Sequence, residues 1–346
     1  MGDGPRAAGD NPSADVEDNS LEAAPNRLRL QAYLSLMLLI PALFLASSIP
    51  IVRSKSFPIE SGDPFLLNPD YAFSLHHVDC DVVIYGDSTA LTGLDPGVVS
   101  HATGLKTCNI AQAQSIVDIL GMLALDTYLK NNAPPKYIVM QFAPETLSRD
   151  RSNFFWPEGL TLLLRKRSLL QASPTFIRHP VEAYHFSIWA IKVKITSLID
   201  SPVDFASTQA IFRSHGGLLI LPKPPETHCL NDIAYTPPSV DWVRTLRERY
   251  ASNRTRVLIN VSPLPNCSPI AAPVAAGMRN VTDNSLSLYP VGLFCDLDRH
   301  LTLEGAERAS LELGEQLSAG QNIAALRGMS ASIPPSFHMT ALRDVH

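Results

Sequence analysis

The sequence carries no excess of positive charge, and this absence removes one large class of partners. Charged residues make up 18% of the 346 positions, and the net charge is −5. Six acidic residues and one arginine lie within the first 26 positions, so the rest of the chain balances 27 acids with 27 bases. Proteins that bind DNA or RNA concentrate basic charge on one surface. We therefore expect no nucleic-acid partner.

Cysteine is also scarce, and its spacing excludes the common zinc sites. The chain has no Cys-x-x-Cys pair and no cluster of cysteine with histidine, which are the usual signatures of structural zinc. We expect no metal and no cofactor. Five cysteines allow one or two disulfides with one thiol left over, which favours an oxidising compartment; scattered core cysteines in a reducing compartment are the alternative. They are Cys80, Cys108, Cys229, Cys267 and Cys295.

One long apolar run is present. Residues 30–52 form 23 consecutive positions without a charge, enough to cross a bilayer as a helix. The run predicts a transmembrane helix behind a disordered cytoplasmic tail over 1–29; a cleaved signal peptide and a buried core helix are the alternatives. Two basic residues flank each end, so charge does not set the orientation. A protein that starts at Ser54 should keep its fold.

The rest of the chain alternates between strand and helix patterns. Short β-branched segments at 80–85, 107–110, 137–142 and 256–261 predict strands, and 115–129 and 242–250 have helical spacing. This alternation is typical of a parallel sheet covered by helices. We expect a linker over 53–78, an α/β domain over 79–325 with a mostly helical insertion at 151–240, and a C-terminal tail over 326–346.

Two short blocks carry the chemistry. Gly86-Asp87-Ser88 directly follows the first strand, and His300 precedes a helix capped by Thr302, with Asp296 and Asp298 close by. A serine nucleophile needs a base to take its proton, and that base needs a carboxylate to hold its tautomer. A turn serine and a surface histidine are the plain alternatives, and both acids could simply solvate a loop.

Together these blocks resemble those of the SGNH/GDSL hydrolase superfamily, in its membrane-anchored acyltransferase and esterase branch. The resemblance implies a flavodoxin-like three-layer sheet with Ser88 as nucleophile and His300 as base. Alginate O-acetyltransferases of this superfamily use Asp-x-His, which matches Asp298, whereas Asp296 fits if one loop residue bulges. The resemblance also implies oxyanion donors at Ser88 and at Ala111, within a turn that begins at Asn109.

The activity implied is ester chemistry on an acyl group, with acetyl expected, of an envelope glycan or similar acceptor. The same resemblance makes a membrane-embedded acyltransferase a candidate partner, and it implies a globular domain on the periplasmic or other extracytoplasmic side. A second hypothesis is a non-catalytic assembly or binding protein of a polysaccharide system. It is favoured by Glu145, which stands where the family has an asparagine donor, and by the offset of the acid from the family's usual position.

Overall fold

The computed structural model describes residues 20–149, 157–199, 217–221, 223–229, 235–296 and 299–331. The helices within these ranges are α1 (Ser20–Arg53), α2 (Phe57–Ser61), α3 (Pro64–Ser74), α4 (Ser88–Gly93), α5 (Pro96–Thr103), α6 (Gln114–Leu120), α7 (Leu123–Asn131), α8 (Pro144–Ser148), α9 (Pro157–Lys166), α10 (Leu169–Arg178), α11 (Pro180–Ile199), α12 (Val240–Tyr250), α13 (Ala271–Met278) and α14 (Leu303–Ala331). The strands are β1 (Val82–Gly86), β2 (Thr107–Asn109), β3 (Tyr137–Phe142), β4 (Arg256–Val261), β5 (Leu264–Pro265), β6 (Leu288–Tyr289), β7 (Phe294–Asp296) and β8 (His300–Leu301).

Four parallel strands form the central sheet in the order β2-β1-β3-β4. Val83 pairs with Cys108 on one side and with Ile138 on the other, and Ile138 in turn pairs with Val257. The four strands predicted from the sequence are confirmed to within two residues at either end. Because the strands are parallel, all their carboxyl ends meet at one edge of the sheet.

Both faces of the sheet are apolar and both are covered. Val83 and Tyr85 point to a core shared with α7, α12 and α13. Their neighbours Val82 and Ile84 point to the opposite core, shared with α4, α5 and α14. Successive side chains of a strand face opposite sides, so strands buried on both faces must be apolar at nearly every position.

The outer edge of β4 is closed by side chains in place of a fifth strand. Asp283 donates its N–H to the Ile259 carbonyl (2.7 Å), and its carboxylate accepts the Ile259 N–H (2.8 Å). The Asn284 amide makes the same pair of bonds with the N–H and carbonyl of Val261, both at 2.9 Å. The edge groups that could pair with another chain are thereby satisfied.

Three segments differ from the sequence-based boundaries. The helix predicted over 115–129 is two helices, α6 and α7, because Gly121 takes a positive φ (59°, with ψ −133°), a conformation open to glycine that ends the first helix. The predicted linker over 53–78 contains α2 and α3, and Asp63 caps α3 by accepting the Phe65 N–H (2.9 Å). The last helix, α14, continues to Ala331, beyond the predicted boundary at 325, and 332–346 lie outside the described residues.

Among the described residues, α1 is the one helix long and apolar enough to cross a membrane. The relevant segment is Arg29–Arg53, with a mean hydropathy of 2.2. Only 11% of its most apolar window is buried, and Leu38 is 76% exposed. A core helix of a soluble protein would be covered on most sides. The predicted tail is helical from Ser20 onward, while 1–19 lie outside the described residues.

The predicted insertion is helical over 157–199, where α9, α10 and α11 surround the end of α1. Val52 is fully buried among them. Arg53 donates from Nε to the Leu164 carbonyl (2.9 Å), and Arg165 donates to the Val52 carbonyl (3.2 Å). The last turns of the apolar helix therefore belong to the folded domain. Residues 217–221, 223–229 and 235–239 of the insertion have no regular structure, Val240 begins α12, and the remainder of 151–239 lies outside the described residues.

A truncated protein that begins at Ser54 should therefore lose stability, contrary to the sequence-based expectation. It lacks the buried Val52 side chain, worth about 2 kcal/mol, and leaves the Leu164 carbonyl without its donor. A protein that begins at Ala42 keeps both groups. Thermal unfolding in detergent should give a lower Tm for the shorter protein, and equal Tm values would contradict this packing role.

Candidate active site

Ser88 lies at the carboxyl edge of the sheet, where Gly86 at the end of β1 and the following Asp87 fix its position. Asp87 is fully buried, and its carboxylate accepts the Thr89 N–H (2.9 Å) and the Ala143 N–H at the end of β3 (2.8 Å). A Cβ on Gly86 would overlap the Gln141 carbonyl oxygen, so this position admits only glycine. The tight turn places Ser88 as the first residue of α4.

His300 reaches Ser88 from a site 212 residues further along the chain. It lies on β8, just before α14, whose first turn is capped by Thr302 through the Gly305 N–H (3.2 Å). His300 Nε2 is 2.9 Å from Ser88 Oγ, and His300 Nδ1 is 3.1 Å from Asp296 Oδ2. When Nδ1–H donates to the carboxylate, Nε2 accepts the serine hydroxyl proton, as a catalytic triad requires. The structure thus brings these three side chains together.

The acid in contact with His300 is Asp296; Asp298, the residue favoured by the sequence, lies outside the described residues. β7 and β8 form an antiparallel hairpin in which Asp296 pairs with His300, with an irregularity in register beside it. The hydrogen bond from His300 lowers the pKa of Asp296 to about 2, and Lys223, whose Nζ lies 2.6 Å from Asp296 Oδ1, acts in the same direction. Asp296 is therefore ionised at neutral pH.

Ala111 and Asn109 are not brought to this cavity. Both are fully buried, and the Ala111 N–H donates to Asn109 Oδ1 (3.0 Å). The Asn109 side-chain amide donates to the carbonyls of Ala90 and Leu94 (3.0 and 2.9 Å). Asn109 therefore links the end of β2 to α4 by hydrogen bonds. The two residues predicted to bind an oxyanion or substrate instead stabilise the backbone at this point.

A cavity of about 350 Å³ opens beside Ser88. Three helices begin at its wall: α4 at Ser88, α6 at Gln114 and α8 next to Ala143. First-turn N–H groups have no partner within their own helix and carry partial positive charge. Two N–H groups at these helix starts, those of Thr89 and Ala143, already donate to the Asp87 carboxylate, and Pro144 at the start of α8 has none. The N–H groups of Ser88 and of the first turn of α6 are the remaining candidate donors. The cavity's other lining side chains include Phe65, Ser115, Glu145, Glu158, Lys223 and Arg299.

Glu145, which the sequence places where a neutral donor was expected, is paired with a cation. Arg299 lies 2.7 Å from its carboxylate across the cavity. Burial raises the pKa of Glu145, and the nearby guanidinium opposes that rise. The pair brings a permanent cation with several N–H donors into the cavity wall. The negative charge of Glu145 is therefore compensated by the positive charge of Arg299.

Glu158, which lines the cavity, is paired with another carboxyl group. Glu158 hydrogen-bonds to Asp63 and accepts the Ser115 hydroxyl (3.2 Å). Burial, reinforced by the neighbouring charge of Asp63, raises the pKa of Glu158 to about 8, and burial also raises the pKa of Asp63. Two carboxyl groups can hydrogen-bond only if one keeps its proton. The raised pKa of Glu158 therefore favours retention of a proton by this pair near neutral pH.

Sequence reasoning missed Lys223, Arg299 and Glu158. Arg299 sits inside the Asp-Arg-His block, so its position beside the base was a usable signal. Lys223 lies in an irregular proline-containing segment, and Glu158 begins a helix of the insertion, so neither carried a local pattern.

Searches against protein-family models, curated proteins and solved structures find no match to this chain.

The shared proton gives a pH-dependent stability. Because the folded state holds a proton that unfolded Glu158 releases near pH ~4.3, stability should fall as pH rises from about 4.5 to about 8 and then level off. Glu158→Gln should remove that slope, raising Tm most at about pH 8. Differential scanning calorimetry between about pH 4.5 and about pH 8 tests this pH dependence of Tm. Glu307→Gln, at an exposed glutamate, is the control. Parallel curves for wild type and Glu158→Gln would refute the shared proton.

Proposed function

We propose that this chain is a membrane-anchored, SGNH-type serine esterase or O-acyltransferase. It acts on acyl esters, with acetyl as the expected acyl group, of an envelope glycan or a similar hydroxylated acceptor. The observation that carries the proposal is the hydrogen-bonded chain from Ser88 through His300 to Asp296 at the wall of the cavity. Nucleophile, base and orienting acid stand in the order and at the distances that acyl transfer needs.

The sheet supports the same assignment. The order β2-β1-β3-β4 matches the first four positions of the flavodoxin-like arrangement. In such sheets the ligand crevice lies outside the carboxyl ends of the strands, where the chain changes direction across the sheet. Here that point lies between β1 and β3, and Ser88 and Ala143 stand at their ends.

In the proposed reaction, Ser88 Oγ attacks the acyl carbonyl carbon while His300 Nε2 takes the hydroxyl proton. The tetrahedral intermediate collapses, the carbon–oxygen bond to the leaving alcohol breaks, and His300 returns the proton to that alcohol. Water or a sugar hydroxyl then attacks the acyl-serine, with His300 again as base, and Ser88 is regenerated. Asp296 holds the imidazole tautomer and stabilises the imidazolium.

Donors for the oxyanion come from the cavity wall. The Ser88 N–H and the first-turn amides of α6 are backbone candidates, and the Arg299 guanidinium adds a charged one. Preorganised donors of this kind supply the largest share of stabilisation in acyl transfer. Since Arg299 balances Glu145, the acid no longer favours the non-catalytic hypothesis.

The remaining wall suits a hydroxylated acceptor. Gln114, Ser115 and Glu158 bring hydrogen-bonding groups to the cavity lining, and Phe65 contributes an apolar ring to the same lining. Phe65 also packs against the His300 imidazole, with ring centroids 5.7 Å apart. A sugar offers both hydroxyl groups and apolar C–H faces, and this wall offers a partner to each.

Activity-based labelling tests the nucleophile. A fluorophosphonate probe should label the detergent-solubilised full-length protein, and Ser88→Ala or His300→Ala should abolish labelling. Ser115→Ala is the matched control, because its hydroxyl lines the same cavity and should not react. Absence of labelling in wild type, or labelling that survives Ser88→Ala, would favour the non-catalytic assembly or binding protein.

Turnover of an acetyl ester tests which acid orients the base. Asp296→Asn should lower turnover by about 10⁴-fold, because the imidazole would lose the carboxylate that holds its tautomer. Asp298→Asn is the matched control and should have little effect. The reverse ranking would restore the Asp-x-His assignment.

We propose further that α1 crosses the membrane once and that the α/β domain lies on the extracytoplasmic side. Cys80 and Cys108 form one disulfide and Cys229 and Cys267 a second, leaving Cys295 buried with a free thiol. Disulfides persist in oxidising compartments, which supports this orientation where the flanking charges do not.

Fractionation and thiol alkylation test the placement. The full-length protein should stay in the membrane pellet after carbonate extraction. Under denaturation, a maleimide-polymer reagent should add one mass shift without reduction, from Cys295, and a shift for every cysteine after reduction. Release by carbonate would contradict the span, and modification of every cysteine before reduction would contradict the extracytoplasmic side.

A further inference from the structure

Exposed apolar side chains outside α1 are concentrated on α10 and α11. Of the large apolar side chains exposed in the described part of the chain, nine lie on α1, eight on α10 and α11, and four elsewhere. The four stand singly, which needs no explanation. The eight share one helical pair but lie at different points along it, so the position of each group decides what it can contact. They are Leu169, Leu170, Ile177, Val181, Ile188, Ile195, Leu198 and Ile199.

The direction of this helical pair relative to α1 follows from three contacts. Phe44 meets Tyr184 (6.0 Å between ring centroids), Phe57 meets Trp189 (5.5 Å), and Glu60 meets Lys194 Nζ (2.6 Å). Successive residues of α11 thus meet successive residues of the chain that leaves α1, so α11 starts level with the apolar segment and runs away from it. α10 begins beside Arg53, which donates to the Arg167 carbonyl (3.2 Å).

α10 and α11 therefore form a hairpin whose tip points back along α1. The tip spans residues 177–181, between the end of α10 and the first turn of α11. Ile177 is 75% exposed and Val181 is 61% exposed. The opposite end of α11, with Ile195, Leu198 and Ile199, lies away from the apolar segment of α1.

We propose that this tip inserts into the phospholipid bilayer that α1 crosses. The inference rests on the proposed span and is independent of the proposed chemistry. A hydrocarbon core of about 30 Å takes about 20 helical residues, so a span that starts at Leu30 leaves the core near Ile49. Phe44 and its partner Tyr184 then lie about 8 Å inside the core, at the depth that interfacial helices reach.

The charged residues at the tip are compatible with a position near the lipid headgroups. Arg178 is exposed, and Glu182 is half-buried in the first turn of α11. A long cationic side chain can bury its stem while its head reaches lipid phosphates. Of the six lysines and arginines in 157–199, Arg178 is the one at the tip, while Lys192 and Lys194 lie toward the other end of α11, where Lys194 pairs with Glu60. A cation at the tip suits an anionic lipid surface. Entry of the tip into the bilayer would hold the domain, and hence the cavity, at a fixed distance from the membrane surface.

Depth-dependent quenching tests the inference in the full-length protein. Single cysteines replacing Ile177, Val181, Leu38 and Leu311 are labelled with an environment-sensitive fluorophore in nanodiscs that contain phosphatidylglycerol. Cys295 is buried and the other thiols are paired, so the introduced residue takes the label. Lipids with a nitroxide on the acyl chain should quench positions 177 and 181 several-fold more than Leu311, an exposed leucine on α14.

Leu38 calibrates the measurement, because it lies at the middle of the span. Quenching at position 38 without quenching at 177 and 181 would overturn the insertion and leave the span intact. Absence of quenching at all three positions would overturn both. Either result is separable from fluorophosphonate labelling, which reports the serine chemistry alone.

Discussion

The buried carboxylate of Asp87 is the constraint on which the geometry of the site depends. It caps α4 through the Thr89 N–H and at the same time accepts the Ala143 N–H at the end of β3. One side chain thus joins the ends of two neighbouring strands. Because Gly86 permits β1 to approach the Gln141 carbonyl closely, Ser88 emerges at a defined point of the carboxyl edge. Without that fixed point, a histidine 212 residues away could not be placed within hydrogen-bond reach.

The cavity is electrostatically balanced by pairs that cross between chain segments. Lys223 contacts Asp296, and Arg299 contacts Glu145. Each pair combines a residue of the final hairpin with one from elsewhere, so the hairpin holds its position through charge as well as through β pairing. Cations near a forming oxyanion favour the transition state of acyl transfer, and the acids keep those cations in place. The proton shared by Asp63 and Glu158 completes a wall with few uncompensated charges.

The apolar helix α1 and the α/β domain are joined by packing. Val52 belongs both to α1 and to the core formed by α9, α10 and α11, and Arg53 hydrogen-bonds to the Leu164 carbonyl of α9. Helix α9 also carries Glu158, in its first turn, beside the cavity. A continuous path of packed helices therefore leads from the end of α1 to the wall of the cavity. For an enzyme whose acceptor lies near the membrane, such a path would fix the distance between the site and the lipid surface.

The sequence by itself determined the parts that depend on local pattern. The four strands, the apolar helix, the cap at Thr302, and the pairing of Ser88 with His300 are all readable from short blocks of neighbouring residues. The tertiary structure decided which acid meets His300, because that depends on the register of the β7–β8 hairpin. It also decided that Asn109 and Ala111 hydrogen-bond to each other, and that Arg299 forms an ion pair with Glu145. Such contacts depend on how the folded backbone brings turns and distant segments together, and no local periodicity encodes them.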